Sequence, residues 1–83
     1  MRVLYFAWLR ETVGLAEETL APLPAPATPR ALVEVLRARS PGHAQAFADL
    51  TRLRCAVDEQ LCPLDAPLGE AREVAFFPPF TGG

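Results

Sequence analysis

The run Arg2-Val3-Leu4-Tyr5-Phe6-Ala7-Trp8 decides how the rest of this 83-residue chain is read. Its aromatic and β-branched content predicts a strand. Apolar side chains fall at odd and even positions alike, the pattern of a strand covered on both faces. A strand of that kind needs neighbours and a covering helix. Residues 9–13, closing at Gly14, supply a single helical turn with a glycine stop. Residues 17–21 follow as an antiparallel partner strand. Residues 22–29 carry so many prolines that neither a helix interior nor a central strand suits them, and they read as a loop.

Thr28 then Pro29 is the signature of a helix N-cap followed by proline at the first helical position. Leu32, Val35 and Leu36 fall on one predicted buried face, with Glu34, Arg37 and Arg39 on the wet side. Ser40-Pro41-Gly42 reads as the stop. Residues 44–50 predict a second short helix anchored by Phe47 and Leu50. Residues 53–57 and 60–62 predict a hairpin around Asp58-Glu59, which is not the favoured two-residue turn chemistry and reads as a solvated turn. Residues 72–77 form the last predicted strand. The order strand, strand, helix, strand, strand, strand, with one main helix to cover one face of a mixed sheet of four or five strands, is the outline of an α+β, ubiquitin-like β-grasp roll. The domain spans residues 1–77, and residues 78–83 form an extended tail.

Composition narrows the function. A chain of this length makes one small domain, which excludes a two-domain enzyme with a buried cleft. Hydrophobic content of 51% with 22% charge marks a folded globular domain, and a net charge of −2 argues against nucleic acid as a partner. The apolar run at the start is about one third of the roughly 20 residues a membrane span needs. Arg10 and Glu11 follow it at once, unlike the flank of a signal peptide. The expected location is the cytoplasm, with reduced thiols. Cys55 and Cys62 lack the spacing of a C-x-x-C site, and His43 lies too far away to form a local ligand pair with them. In a two-residue-loop register the cysteines face each other, and they read as reduced packing thiols.

A catalytic constellation is hard to assemble from one histidine, no lysine and no glycine-rich loop after a strand. Arg37, Arg39, Arg52 and Arg54 read as a solvated or protein-docking face. Two features stand out instead. The first strand presents either Val3 and Tyr5, or Leu4, Phe6 and Trp8, on the face away from the helix. Together with alternate residues of Val74-Ala75-Phe76-Phe77 this is an apolar surface suited to a partner. The second feature is Pro78-Pro79-Phe80-Thr81-Gly82-Gly83. Two prolines stiffen it, Phe80 is an apolar anchor, and the two glycines carry no Cβ. From Phe80 onward the reach is about 10–14 Å at roughly 3.3–3.6 Å per residue. Such an arm suits another protein's narrow active site, with the chemistry on an activated terminal carboxylate.

The segment Glu73-Val74-Ala75-Phe76-Phe77-Pro78-Pro79-Phe80-Thr81-Gly82-Gly83 resembles the end of the small, sulfur-carrier subunits of molybdopterin synthase. The likeness extends to Val3-Leu4-Tyr5-Phe6-Ala7 with Arg10, Glu11 and Gly14, to the leucine-rich helix and to Ala56-Val57. Asp58 stands where that family often has asparagine, Gly69-Glu70-Ala71-Arg72 replaces a more acidic turn, and Phe80 takes a place usually filled by a smaller aliphatic. The resemblance implies that an ATP-dependent activating enzyme adenylates the Gly83 carboxylate and that sulfur then converts it to a thiocarboxylate. It implies insertion into the large synthase subunit, where the sulfur attacks a pyranopterin precursor, within a heterotetramer of two carriers and two large subunits. Gly83 bears the sulfur and Gly82 gives clearance. Phe76, Phe77, Pro78, Pro79, Phe80 and Thr81 dock, with Phe6 and Arg10 contributing. No metal, bound cofactor or catalytic side chain is implied for this chain. Two other destinations share these residues: a carrier for tRNA thiolation or thiamine synthesis, including one doubling as a protein modifier, and an interaction domain whose tail is inert.

Overall fold

The first strand stops before its apolar pattern does. In the computed structural model, which describes residues 1–79, β1 spans Arg2–Tyr5 and α1 spans Trp8–Val13. The break falls at Ala7, whose φ of 55° turns the chain so that Trp8 opens a helix instead of extending the strand. Gly14 ends α1 at φ 89°, its amide donating to the Arg10 carbonyl. The left-handed conformation there carries no steric cost for glycine.

The remaining elements are β2 (Glu17–Thr19), α2 (Pro29–Arg37), α3 (Pro41–Ala46), a 3-10 turn (Leu50–Arg52), β3 (Arg54–Val57), β4 (Gln60–Cys62) and β5 (Glu73–Phe77). The sheet order is β2-β1-β5-β3-β4. β1 and β5 run parallel with Val3 opposite Val74 and Tyr5 opposite Phe76, while the other pairs are antiparallel. β5, the last of these strands in the chain, is therefore the middle of the sheet. All helices lie on one face, giving the two-layer α+β roll expected from the element order. With one helical layer, β1 is sealed on one face only. Val3 and Tyr5 are buried, Leu4 is half-buried and Phe6 is 46% exposed. The expectation of a strand covered on both faces is corrected for that reason.

The Thr28 cap forms as the sequence predicts, with its Oγ1 accepting from the Ala31 amide at 3.1 Å. Helical geometry then selects Pro29, Leu32, Val33 and Leu36 as the buried stripe. Val35 lies off that stripe and is 40% exposed, which corrects its expected place on the buried face. Ser40 does more than stop α2. Its Oγ accepts from the His43 amide and caps α3, with Pro41 at the first position, repeating the Thr28-Pro29 device. The second short helix consequently begins and ends earlier than predicted. Phe47 follows it and is fully buried, while Leu50 opens the 3-10 turn. Gly42 lets α3 approach α1 closely, since a Cβ there would meet the Thr12 carbonyl oxygen at 2.6 Å.

The hairpin turns at Asp58 and Glu59 with φ of 48° and 70°, the left-handed pair that a two-residue turn requires. Neither residue is glycine, so the turn is strained. Asp58 offsets that strain. Its carboxylate accepts from the Arg72 and Glu73 amides at 2.9 and 3.0 Å, and its own amide donates to the Glu73 carbonyl. Asp58 thus clamps the start of β5, which the reading of a merely solvated turn missed.

Candidate functional site

The face of the sheet away from the helices carries an apolar row, with Arg2, Glu17, Glu73 and Arg54 around it on the same face. The register sets Leu4, Ala75, Ala56 and Leu61 in one row across β1, β5, β3 and β4. Phe77 on the same face of β5 pairs with Arg54. Phe6 continues beyond β1, its amide donating to the Phe76 carbonyl at 3.1 Å. Leu61 is 72% exposed and Phe77 is half-buried. Leu4 and Ala56 are half-buried and Ala75 is buried, so the row is most open at its Leu61 end; single exposed apolar residues are ordinary, and an apolar row across four strands makes this face a candidate interaction surface. Of the two alternatives left open for β1, the structure selects Leu4 and Phe6 as outward-facing. Trp8 has left the strand and packs beneath the Arg52 guanidinium, 4.7 Å from its ring centre.

The expected docking residues divide. Phe6, Phe77, Pro78 and Pro79 lie on or beside the open face, exposed or half-buried. Phe76 does not: it is fully buried, edge-on to Phe47 with ring centres 5.1 Å apart. Its neighbours Val74 and Tyr5 are buried with it, so Phe76 belongs to the core and its assignment to docking is corrected. Phe80, Thr81, Gly82 and Gly83 lie outside the described residues. Ala7, between Phe6 and α1, holds a backbone conformation that L-residues avoid, and strain of this kind gathers at functional segments.

The arginines expected to share one surface are individually engaged. Arg37 donates twice to the Phe47 carbonyl, at 2.8 and 2.6 Å, and pairs with Glu34. Arg39 pairs with Glu18, Arg52 covers Trp8 and Arg54 donates to the Leu53 carbonyl. Arg10, exposed on α1, has no side-chain partner among the described residues. That leaves it available to a partner's carboxylates.

A polar network beneath the sheet escaped the sequence reading. Tyr5 donates its hydroxyl to Glu18 Oε2 at 2.6 Å, and His43 Nε2 meets the same oxygen at 2.6 Å. Arg39 Nε lies 2.9 Å from Glu18 Oε1, and Ser40 Oγ lies 2.7 Å from His43 Nδ1. Burial pushes the Glu18 carboxyl up, but the Tyr5 and His43 hydrogen bonds and the nearby positive charges outweigh it and hold the group below its ordinary value. Burial, reinforced by Glu18, raises the Tyr5 phenol far above the usual range. The network ties β1, β2 and α3 together. Among the described residues no three His, Cys, Asp or Glu side chains are placed to hold a metal ion, and no helix is long and apolar enough to cross a membrane.

The ThiS family pattern matches residues 3–83. The chain belongs to the ThiS family. Within reach of this ThiS-family chain are proteins named molybdopterin synthase sulfur carrier subunit. The one from Escherichia coli is 44% identical, covering 100% of this chain and 99% of the relative. Those from Mycosarcoma maydis and Haemophilus influenzae are 38% and 34% identical, over 100% of this chain and 92% and 99% of theirs. They bear out the resemblance drawn from the opening and closing motifs. Two solved structures share the fold. SAMP1 from Haloferax volcanii matches with a TM-score of 0.72 at 21% identity, over 100% of this chain and 98% of that one. A putative molybdopterin converting factor subunit 1 from Pyrococcus furiosus matches with a TM-score of 0.67 at 24% identity, over 95% of each.

Proposed function

We propose that this ThiS-family chain is the sulfur-carrier subunit of a molybdopterin synthase, a donor rather than a catalyst. One observation carries the reading: the central strand β5 hands Pro78 and Pro79 out of the sheet beside an uncovered apolar face. The full-length relatives bearing that name support it. The open face docks on a large subunit, with Phe6, Leu61 and Phe77 as anchors and Arg10 as a polar contact at its edge. The sequence that follows, ending in Gly82-Gly83, enters the large subunit's active site.

The chemistry belongs to Gly83. Its carboxylate attacks the α-phosphorus of ATP on an activating enzyme, releasing pyrophosphate and leaving an acyl-adenylate. A sulfur nucleophile then attacks the acyl carbon and AMP departs, giving the thiocarboxylate. In the large subunit that sulfur attacks the pyranopterin precursor. The fold's contribution is a rigid platform that holds the docking residues in place before the partner arrives, which lowers the ordering cost of association. The setting for this chemistry is the cytoplasm.

The test is the intact mass of the chain after incubation with ATP, a sulfide donor and an extract containing activating enzymes. A shift equal to exchange of one oxygen for sulfur, mapped to Gly83, is expected. An unchanged mass, in an extract that converts a known carrier, overturns the proposal. Gly83→Ala is expected to abolish transfer while keeping affinity for the large subunit, whereas an interaction domain with an inert tail is indifferent to that change.

A further inference from the structure

The hairpin of β3 and β4 holds two thiols for which the carrier chemistry has no use. The register pairs Cys55 directly with Cys62, their sulfurs lie 3.8 Å apart, and Cys55 Sγ donates to the Cys62 carbonyl at 3.2 Å. Both thiols are free. Directly paired residues of antiparallel strands keep their Cα atoms about 4.5–5.5 Å apart. A disulfide spans Cα separations of about 4.4–6.8 Å, so the bond can close by side-chain rotation with the backbone in place.

The pair is also reachable. Cys55 is buried and Cys62 half-buried. Both cysteines line a surface cavity of about 380 Å³ shared with Arg54, Leu61 and Phe77. They also line a second of about 320 Å³ shared with Arg30, Leu53 and Pro63.

We propose that Cys55 and Cys62 are a redox pair: a small disulfide of the glutathione class closes them into an intrachain disulfide that fastens edge strand β4, with Leu61, to the sheet. The Cys62 thiolate attacks one sulfur of the small disulfide and expels one small thiolate, leaving a mixed disulfide. The Cys55 sulfur then attacks the Cys62 sulfur, gives up its proton and expels the second small thiol. Two protein thiols are oxidised by two electrons and one small disulfide is reduced to two thiols. Burial holds the Cys55 thiol up, to about 12, with Cys62 adding to the effect, so Cys62 is the sulfur that begins. Among the described residues β4 pairs with β3 alone, which makes the bond a fastening for the part of the sheet most able to fray. The inference rests on the hairpin and is independent of the carrier reading.

The experiment equilibrates the full chain in reduced and oxidised glutathione at graded ratios, quenches it in acid, unfolds it, alkylates it and measures intact mass. Both thiols are expected to vanish together in a monomer that has lost two hydrogens and retains no glutathione, and reductant restores them. Hydrogen exchange of the β4 amides is expected to slow by roughly tenfold on oxidation. Cys55→Ser is expected to accumulate a glutathione adduct at Cys62, and Cys62→Ser to leave Cys55 unmodified. The double variant C55S/C62S, checked by circular dichroism, separates these effects from loss of fold. Thiols that remain alkylatable in the most oxidising buffer, a disulfide-linked dimer, or a persistent glutathione adduct on the unaltered chain each overturn the proposal.

Discussion

Both faces of this sheet carry apolar side chains, yet only one is sealed. On the inner face Val3, Tyr5, Val74 and Phe76 meet the helices and are buried. On the outer face Leu4, Phe6 and Phe77 occupy the same strands or their continuations, with Leu61 on β4, and among the described residues no helix covers them. The contrast is sharpest within β5, where Phe76 is fully buried and the next residue, Phe77, faces outward. Alternation along a strand assigns one phenylalanine to the core and sets the other on the outer face, where docking is proposed. Apolar character alone does not distinguish the two; coverage does.

Substitutions at five positions break or sharpen that comparison. Phe76→Ala removes a ring packed edge-on against Phe47 and is expected to cost about 3–5 kcal/mol in denaturant unfolding. A cost near zero dissolves the distinction between the faces. Glu18→Ala strips partners from the buried Tyr5 hydroxyl and from His43 and is expected to cost about 1–3 kcal/mol. The same carboxylate sets an acid limit. Its folded pKa lies below its unfolded value, so its contribution is complete above that unfolded value, near 4.3, and is lost as pH falls through the lowered one. Thermal unfolding from pH 7 to pH 3 is expected to show this loss in the native chain and a shallower one in Glu18→Gln.

Ala7→Gly relieves a positive φ and is expected to stabilise the fold by roughly 1 kcal/mol, read as a raised Tm. If the Ala7 turn also positions Phe6, the same variant weakens partner binding while it stabilises the domain. Smallest in stability is Leu61→Ala, expected within about 0.5 kcal/mol of the native chain because the side chain is mostly in water. Titration calorimetry against the proposed large subunit is expected to show an affinity loss of about tenfold or more for it and for Phe77→Ala. A Leu61 variant that unfolds the domain but still binds reverses the assignment of the two faces.

Much of the fold was legible because turn and cap chemistry is local. Thr28-Pro29, Gly14 and the proline loop each announce a boundary through the residue that makes it. What was not legible depends on distant partners. Nothing near Ala7 in sequence says that it will adopt φ 55° and end the strand early. Ser40-Pro41 looks like a terminator until the helix it begins is seen. Asp58 reaches amides 14 and 15 residues away, and Glu18 joins His43 across 25 residues, separations at which periodicity carries no signal. Of the candidate site, the closing motif was plain from residue types alone. The division between Phe76 and Phe77 required the register of the central strand.

That central strand has a consequence for how the molecule is made. Among the described residues β1–β2 and β3–β4 share no hydrogen-bonded strand pair, and β5 joins them. Arg2 and Glu73, paired across this junction, are 71 residues apart, so the closure is among the slowest a chain of this length can make. On the ribosome two separate hairpins wait until residues 73–77 emerge, because no earlier segment can substitute. The strand that completes the sheet is also the one from which Pro78 and Pro79 follow. Assembly of the domain and presentation of what lies beyond it are therefore one event, and an unfinished chain has nothing to present.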